Sequence, residues 1–492
     1  MILSIDQGTT GTTALVLDSQ GGILGRGYSE FRQIFPRPGW VSHDATEIWD
    51  TTLKVIGIAI AEAGIDASDI KGIGIANQRE TTVLWDWRTG EPVHDAIVWQ
   101  CRRTADLCAQ YRADGLEDVV REKTGLVIDA YFSASKIVWL LDRVYGLRAR
   151  AERGEVCFGT VDSFLLYKLT GGAVHATDYT NASRTMIYNI HGRAWDSGLL
   201  EIFDIPVGIL PRVRSSTGEF GTTADLGILP AGIPIGGIAG DQQAALFGQR
   251  GVFKGDIKNT YGTGCFTLFQ TGDRSVSSAH GLLTTLACGP SGRVSHALEG
   301  AVFSAGATVQ WLRDGLEIID TAAETEALSQ SIDDTGGVYF VPAFTGLGAP
   351  HWDADARGTI VGLTRGTGRA QLARAALESI AYQSADLVHA MTADAGQSVT
   401  GLRVDGGAVV NDFLMQFQAD ILDVPVIRPK HVETTALGAG MLAGLATEVW
   451  DDADVLADIN PPQRIFEPAM SQDRREALLA GWHKAVERAL LA

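Results

Sequence analysis

The chain has 492 residues, 45% of them hydrophobic and 20% charged, with a formal net charge of −19 at pH 7. That length exceeds one core and implies two or more domains of ordinary globular composition. The acidic excess argues against nucleic acid or an anionic membrane as partner, yet allows an anionic nucleotide held through a metal ion and local N–H donors.

Residues 2–6, 13–18 and 23–31 predict a three-strand meander, with turns at residues 8–11 and 20–22. Its opening, Asp6-Gln7-Gly8-Thr9-Thr10-Gly11-Thr12-Thr13, puts a carboxylate at a strand end, ahead of a turn rich in N–H and hydroxyl donors. Such a turn suits a metal-bound polyphosphate, because Gly8 and Gly11 let the backbone approach an anion. The same pattern also fits a plain hairpin. Helical segments follow, then a buried strand at residues 70–76.

A similar order restarts after residue 248. Residues 259–269 read as a strand with an internal glycine turn, residues 282–288 and 294–303 as two more strands of a second meander, and residues 306–312 as the opening of a helix. Over residues 369–391, Leu372, Ala376, Ile380, Leu387 and Met391 fall on one helix face. Leu402-Arg403-Val404-Asp405-Gly406-Gly407 then repeats the strand–Asp–Gly pattern of the first turn. The expected fold is α/β, with two duplicated halves, residues 1–249 and 250–492, flanking a cleft. Element order alone carries the duplication, and no Pro- or Ser-rich linker marks the boundary.

Cys101, Cys108, Cys157, Cys265 and Cys288 are odd in number and lack CxxC spacing, which predicts reduced thiols rather than a disulfide frame or a zinc site. A strand begins within two residues of Met1 with no leader pattern before it, and no apolar run reaches membrane-spanning length. A cytoplasmic location without membrane insertion is expected.

Several blocks are more specific: Asp6-Gln7-Gly8-Thr9-Thr10, Asn77-Gln78-Arg79-Glu80-Thr81-Thr82, residues 96–104, Tyr131-Phe132-Ser133, residues 177–185, residues 240–247, Tyr261-Gly262-Thr263-Gly264-Cys265-Phe266 and Val404-Asp405-Gly406-Gly407-Ala408. With these blocks in this order over nearly its whole length, the chain resembles the glycerol kinases of the FGGY carbohydrate kinase family. The resemblance implies ribonuclease-H-like (actin-like ATPase) domains, ATP and Mg2+, and phosphoryl transfer to glycerol giving sn-glycerol 3-phosphate. It implies that Asp241 is the catalytic carboxylate and that Arg79, Glu80, Trp99, Tyr131, Asp241, Gln242 and Phe266 bind the polyol. It assigns Thr9, Thr10, Gly11, Thr263, Gly306, Gln310, Gly407 and Asn411 to the nucleotide, and Asp6 to the metal, partly through metal-bound water. The N-terminal half would then bind polyol and carry the base, and the C-terminal half would bind nucleotide. A homo-oligomer, dimer or tetramer, is implied as well.

The residue types suit this chemistry. A carboxylate can accept the attacking hydroxyl's proton, an Arg–Glu pair offers donors and acceptors to vicinal hydroxyls, and aromatic rings can wall the carbon chain. Blander readings exist for each: Asp241 as a helix N-cap, Arg79–Glu80 as a surface ion pair, the aromatics as core. The chain departs from the family in having Thr13 where an arginine is common, a lost charge-assisted contact of about 1.5–3 kcal/mol. Residues 225–233 contain no Arg, Lys or His, and residues 470–475 do not match a known regulator patch. Control by fructose 1,6-bisphosphate, by His phosphorylation or by a sugar-transport regulator is therefore expected to be absent. Rival readings are a kinase of another polyol or sugar, such as erythritol or xylulose, and an actin-like ATP-driven chaperone or filament subunit. A catalytically inactive sensor is disfavoured by the retention of Asp6 and Asp241.

Overall fold

The computed structural model describes residues 1–289, 292–353, 355–451 and 459–491. Two mixed sheets form its frame. The first contains β1 (Ile2–Gln7), β2 (Gly11–Leu17), β3 (Ile23–Glu30), β4 (Gly72–Asn77), β5 (Thr217–Thr222) and β6 (Pro234–Gly240), in the order β5-β6-β4-β1-β2-β3. The second contains β7 (Ile257–Tyr261), β8 (Cys265–Gly272), β9 (Leu283–Cys288), β10 (Val294–Val302), β11 (Leu402–Asp405), β12 (Val426–Pro429) and β13 (Pro462–Phe466), in the order β9-β10-β8-β7-β11-β12-β13.

The two sheets share one plan. In the first, β1 pairs antiparallel with β2 and β2 with β3, while β4 runs parallel to β1 and β6 parallel to β4. In the second, β7, β8, β10, β11 and β12 repeat that order and those directions. This is the duplicated α/β architecture expected of the chain. One detail differs: the second half is not a simple meander. Strand β9 goes to the sheet edge, and β10 returns to lie between β9 and β8. Three consecutive β patterns could not reveal which of the last two strands would pair inward.

Helix α1 (Ala45–Ala63) starts where Asp44 caps the N–H groups of Thr46 and Glu47, and it packs on β2 and β3. Between β4 and β5 the chain builds a separate lobe, including α2 (Ser133–Arg143), with its own core around Leu126, Phe132, Ile137 and Phe158. The second half adds α4 (Gly306–Asp314), α5 (Arg369–Ala395), α6 (Asp412–Leu422) and α7 (Thr434–Ala446); α3 (Asp241–Gly248) follows β6 directly. Helix α5 is buried on nearly every side, not along a single stripe. Its alanines and serines let neighbours approach all round.

The halves exchange helices at their seam. Helix α7, from the second half, packs on β1, β4 and β6 of the first sheet, while α3 touches β7, β8 and β9 of the second. The strand Gly72-Ile73-Gly74-Ile75 explains how. Ile73 and Ile75 enter the first core, and Gly74 leaves room for the α7 backbone, since a Cβ there would lie 2.0 Å from the Ala439 carbonyl oxygen. The 249 boundary therefore falls between α3 and β7, but α7 and Trp450 join Ile2, Leu17 and Phe247 in a core shared by both halves. No helix among the described residues is long and apolar enough to cross a membrane.

Candidate active site

Three neighbouring parallel strands of the first sheet carry chemistry at or beyond their carboxyl ends. Asp6 is near the end of β1, Arg79 and Glu80 follow β4, and Asp241 follows β6. Ligands of open α/β sheets bind outside such ends, where polar side chains and free backbone N–H groups converge. The chain thus gathers residues separated by hundreds of positions.

Arg79 and Glu80 form no surface ion pair: they are 3% and 1% exposed. Arg79 Nη1 donates to Glu299 Oε2 (2.6 Å) and Gln243 Oε1 (3.2 Å), Nη2 donates to Glu299 Oε1 (2.9 Å), and Nε lies 3.2 Å from Asp241 Oδ1. Three of the five guanidinium hydrogens are taken by these hydrogen bonds, and one on Nη2 stays available to a ligand. The side chain lies flat against the end of β6 because residue 240 is glycine, where a Cβ would come within 2.6 Å of Arg79 Cδ.

Glu80 has a positive φ of 62°. Hydroxyls of Ser133 (3.0 Å) and Thr82 (3.1 Å) donate to its carbonyl, and Arg184 Nε donates to Oε1 at 2.6 Å. Such a conformation costs on the order of 1–3 kcal/mol and persists only where the surroundings impose it. Oε2 accepts no hydrogen bond among the described residues. Burial raises the Glu80 carboxyl's pKa, with Arg79 and Arg184 opposing it.

Asp241 is the first residue of α3, not its cap; Gly240 occupies the cap position, and no side-chain capping bond forms. Asp241 Oδ1 accepts the Gln242 N–H at 2.7 Å and forms an ion pair with Arg79 Nε at 3.2 Å, so both contacts fall on one oxygen. Oδ2 has no partner among the described residues, and the side chain is 26% exposed. Burial raises its pKa, against the pull of Arg79 and Lys258.

The aromatic residues meet on the other side. Trp99 is 5.5 Å from Tyr131 and 6.3 Å from Phe266 between ring centroids, and its Nε1 donates to Thr9 Oγ1 at 2.9 Å. Arg184 lies over the Tyr131 ring. Thus Arg79, Glu80, Trp99, Tyr131, Asp241, Gln242 and Phe266 share one neighbourhood, with Thr9 bonded to its wall.

The first glycine turn is closed by Gly8 N–H donating to the Gly11 carbonyl at 2.9 Å; Thr10 is exposed at its tip, and Gly11 already belongs to β2. The second turn joins β7 to β8: the carbonyl of Thr263 accepts N–H bonds from Ala305 and Ala307, and that of Gly262 accepts from Gly306. Thr263, Gly306 and Gly407 therefore cluster at the carboxyl ends of the parallel pair β7 and β11. Gln310 is exposed on α4. Asn411 is a structural cap, its Oδ1 accepting the Leu414 N–H at 2.9 Å and its Nδ2 reaching Thr325 at 3.4 Å.

The Asp6 pKa is well raised, first by burial and then by Asp241, Glu433 and Asp405. The Asp6 carboxylate has no hydrogen-bond or ion-pair partner among the described residues, which fits a site for a divalent cation. Among the described residues no set of three or more His, Cys, Asp or Glu side chains forms a metal cage.

Sequence reasoning missed four buried charges here. Glu299, on β10, is held to a pKa of about 2 because Arg184 and Arg79 outweigh the cost of burial. Lys258, on β7, donates to Gln242 Oε1, to Thr260 Oγ1 at 2.7 Å and to the Phe266 carbonyl at 3.4 Å. Burial lowers its pKa to about 8. Lys136, on α2, donates to the carbonyls of Ala130, Tyr131 and Phe132 and so anchors the tyrosine. Arg184 completes the ion cluster. A charged residue directly after a buried apolar one within a strand, as in Ile257-Lys258 or Leu298-Glu299, was the available signal.

The family model described as "FGGY family of carbohydrate kinases, N-terminal domain" matches residues 1–248, and its C-terminal counterpart matches residues 257–447. A protein named glycerol kinase from Symbiobacterium thermophilum is 58% identical over 488 residues, covering 99% of this chain and 98% of that protein. A glycerol kinase 2 from Thermotoga maritima is 58% identical over 489 residues, covering 99% and 98%. Among solved structures, Plasmodium falciparum glycerol kinase with ADP superposes with a TM-score of 0.93 at 37% identity, covering 99% of this chain and 98% of that one. A ligand-bound xylulose kinase from Lactobacillus acidophilus shares the fold with a TM-score of 0.88 at 22% identity, covering 100% and 98%.

Proposed function

The chain belongs to the FGGY family of carbohydrate kinases, and from that premise we propose that it transfers the γ-phosphoryl group of ATP to glycerol, giving sn-glycerol 3-phosphate. The observation that carries this reading is the convergence of Asp241 with the Arg79–Glu80 pair and the Trp99–Tyr131–Phe266 wall at the ends of three parallel strands. The glycerol kinases similar over full length support the choice of acceptor.

Asp241 is the proton acceptor. With Oδ1 bonded to the Gln242 N–H and ion-paired with Arg79 Nε, Oδ2 is the oxygen that takes the proton of the attacking hydroxyl. Glu80 Oε2 accepts from a neighbouring hydroxyl, and the remaining Nη2 hydrogen of Arg79 donates to one. Gln242 has its carbonyl oxygen bonded to Lys258, so its amide nitrogen faces the ligand as a donor. The three aromatic rings cover the carbon chain and limit its length.

The nucleotide phosphates lie between the turn carrying Thr9, Thr10 and Gly11 and the turn carrying Thr263, with Gly306, Gln310, Gly407 and Asn411 on the nucleoside side. At Asn411 the cap geometry favours a backbone or steric role over an amide contact. Asp6 would hold Mg2+ through water; the ion, when bound, offsets charge on the phosphate oxygens. The five cysteines are buried and unpaired, in keeping with a cytoplasmic enzyme, and we propose a homo-oligomer.

Erythritol or xylulose as acceptor is the rival within the family. ADP release with Mg-ATP against glycerol, erythritol, xylulose and no acceptor decides it. Preference for glycerol upholds the reading, preference for another polyol moves the substrate, and acceptor-independent hydrolysis refutes kinase activity.

A further inference from the structure

Two buried charges from the C-terminal sheet reach across the seam into the polyol side of the site. Glu299 occupies both Nη groups of Arg79 and also accepts Arg184 Nη2 at 3.0 Å. Lys258 bonds to Gln242, the residue beside Asp241, and to the backbone of Phe266. Both side chains are buried, at 2% and 0% exposure, and neither touches a substrate in the mechanism above.

We propose that Glu299 and Lys258 are positioning residues for phosphoryl transfer, through which the C-terminal sheet assembles the acceptor site of the N-terminal half. This deepens the glycerol kinase reading and rests on it.

Glu299 acts by occupying the guanidinium fork of Arg79. A free guanidinium pairs with a carboxylate through two parallel N–H bonds. If Arg79 could turn, its fork would engage both oxygens of Asp241 and lower the proton affinity of each. Glu299 takes that fork instead, so Arg79 meets Asp241 through Nε alone, on Oδ1. The same carboxylate steadies Arg184, which holds Glu80.

The argument for Lys258 is an inventory. Its three N–H groups match three acceptors: Gln242 Oε1, Thr260 Oγ1 and the Phe266 carbonyl. All are protein atoms, so it acts through them. It fixes which end of the Gln242 amide faces the polyol and sets the strand that presents the Phe266 ring to Trp99. Arg79 faces Glu299, Glu80 and Asp241, while Lys258 faces Asp405, Asp241, Glu299 and the like-charged Arg79.

The test uses full-length wild type, Glu299→Gln and Lys258→Met, each checked for native near-UV circular dichroism, with KM and kcat measured for glycerol and ATP separately. Wild type must first show glycerol-dependent ADP release; its absence overturns the parent reading and this proposal together. Given that activity, Glu299→Gln is expected to lower kcat roughly tenfold or more, and Lys258→Met to raise the glycerol KM roughly tenfold, with the ATP KM within about twofold in both. Folded variants with wild-type kcat and glycerol KM overturn the proposal alone. So does an equal loss on both substrates, the signature of a general structural role. Where either variant fails to fold, Glu299→Asp and Lys258→Arg decide. The shortened carboxylate is expected to lose kcat and the retained cation to keep the glycerol KM near wild type; unchanged kcat in Glu299→Asp, or a glycerol KM in Lys258→Arg raised as far as for an uncharged side chain, overturns it.

Discussion

Gly438→Ala tests whether the active site depends on the packing of α7 against α3. A Cβ at residue 438 would lie 1.9 Å from the Ala244 carbonyl oxygen, 2.7 Å from its carbon and 3.0 Å from the Gly248 nitrogen. All three are backbone atoms, so no side chain can swing aside. Ordinary contact begins at 3.4 Å, and the helices must part by about 1.5 Å to admit one methyl group. Overpacking of this kind costs about 1–3 kcal/mol. The larger effect is on catalysis, because Asp241 and Gln242 open α3 and move with it. A displacement of about 1 Å at a reacting group can cost roughly 100-fold in rate. The expected outcome is a folded protein with a lower urea midpoint and a kcat down by about two orders of magnitude. Unchanged kcat and midpoint would refute the claim that this seam positions the base.

Burial raises the Asp241 pKa, and the base must be ionised to work, so kcat/KM should fall as pH falls, with a midpoint above the ordinary carboxylate value of 3.8; a midpoint at or below that value contradicts the assignment. Trp99→Phe keeps the wall but removes the 2.9 Å bond to Thr9, which links polyol wall to phosphate turn. A loss of about 0.5–1.5 kcal/mol should raise the KM of both substrates roughly two- to tenfold, and a change confined to glycerol would contradict that link. Thr13 sits opposite Asp6 in the β1–β2 register, so Thr13→Arg places a cation on the same face as a buried carboxylate. It should lower the ATP KM; an unchanged KM shows that the missing arginine does not limit nucleotide affinity.

Legibility followed the range of the interactions. The first hairpin, the helix at residues 369–395 and the restart after residue 248 come from local patterns: Asp-Gly turns, glycine spacing and runs of β-branched residues. The strand order of the second sheet was partly hidden, because nothing in residues 282–303 encodes that β10 lies inside β9. The seam was hidden too. Gly438 and Gly248 read as ordinary small residues until the helices meet, from opposite halves of the chain. At the site, motif resemblance picked out Arg79, Glu80 and Asp241, but their partners Glu299 and Lys258 lie in strands with no motif character. Residue type alone could not exclude a surface ion pair; burial did. Asn411 carries a second role that no motif revealed, since its side chain caps a helix.

The most direct test of the account compares wild type with Asp241→Asn, measuring glycerol-dependent ADP release together with calorimetric glycerol binding. Amide replacement keeps the shape but cannot accept the proton. The account predicts turnover reduced by roughly 100- to 10,000-fold with glycerol still bound. Turnover near the wild-type rate in a folded Asp241→Asn protein, or ADP release that ignores both glycerol and the substitution, would contradict it.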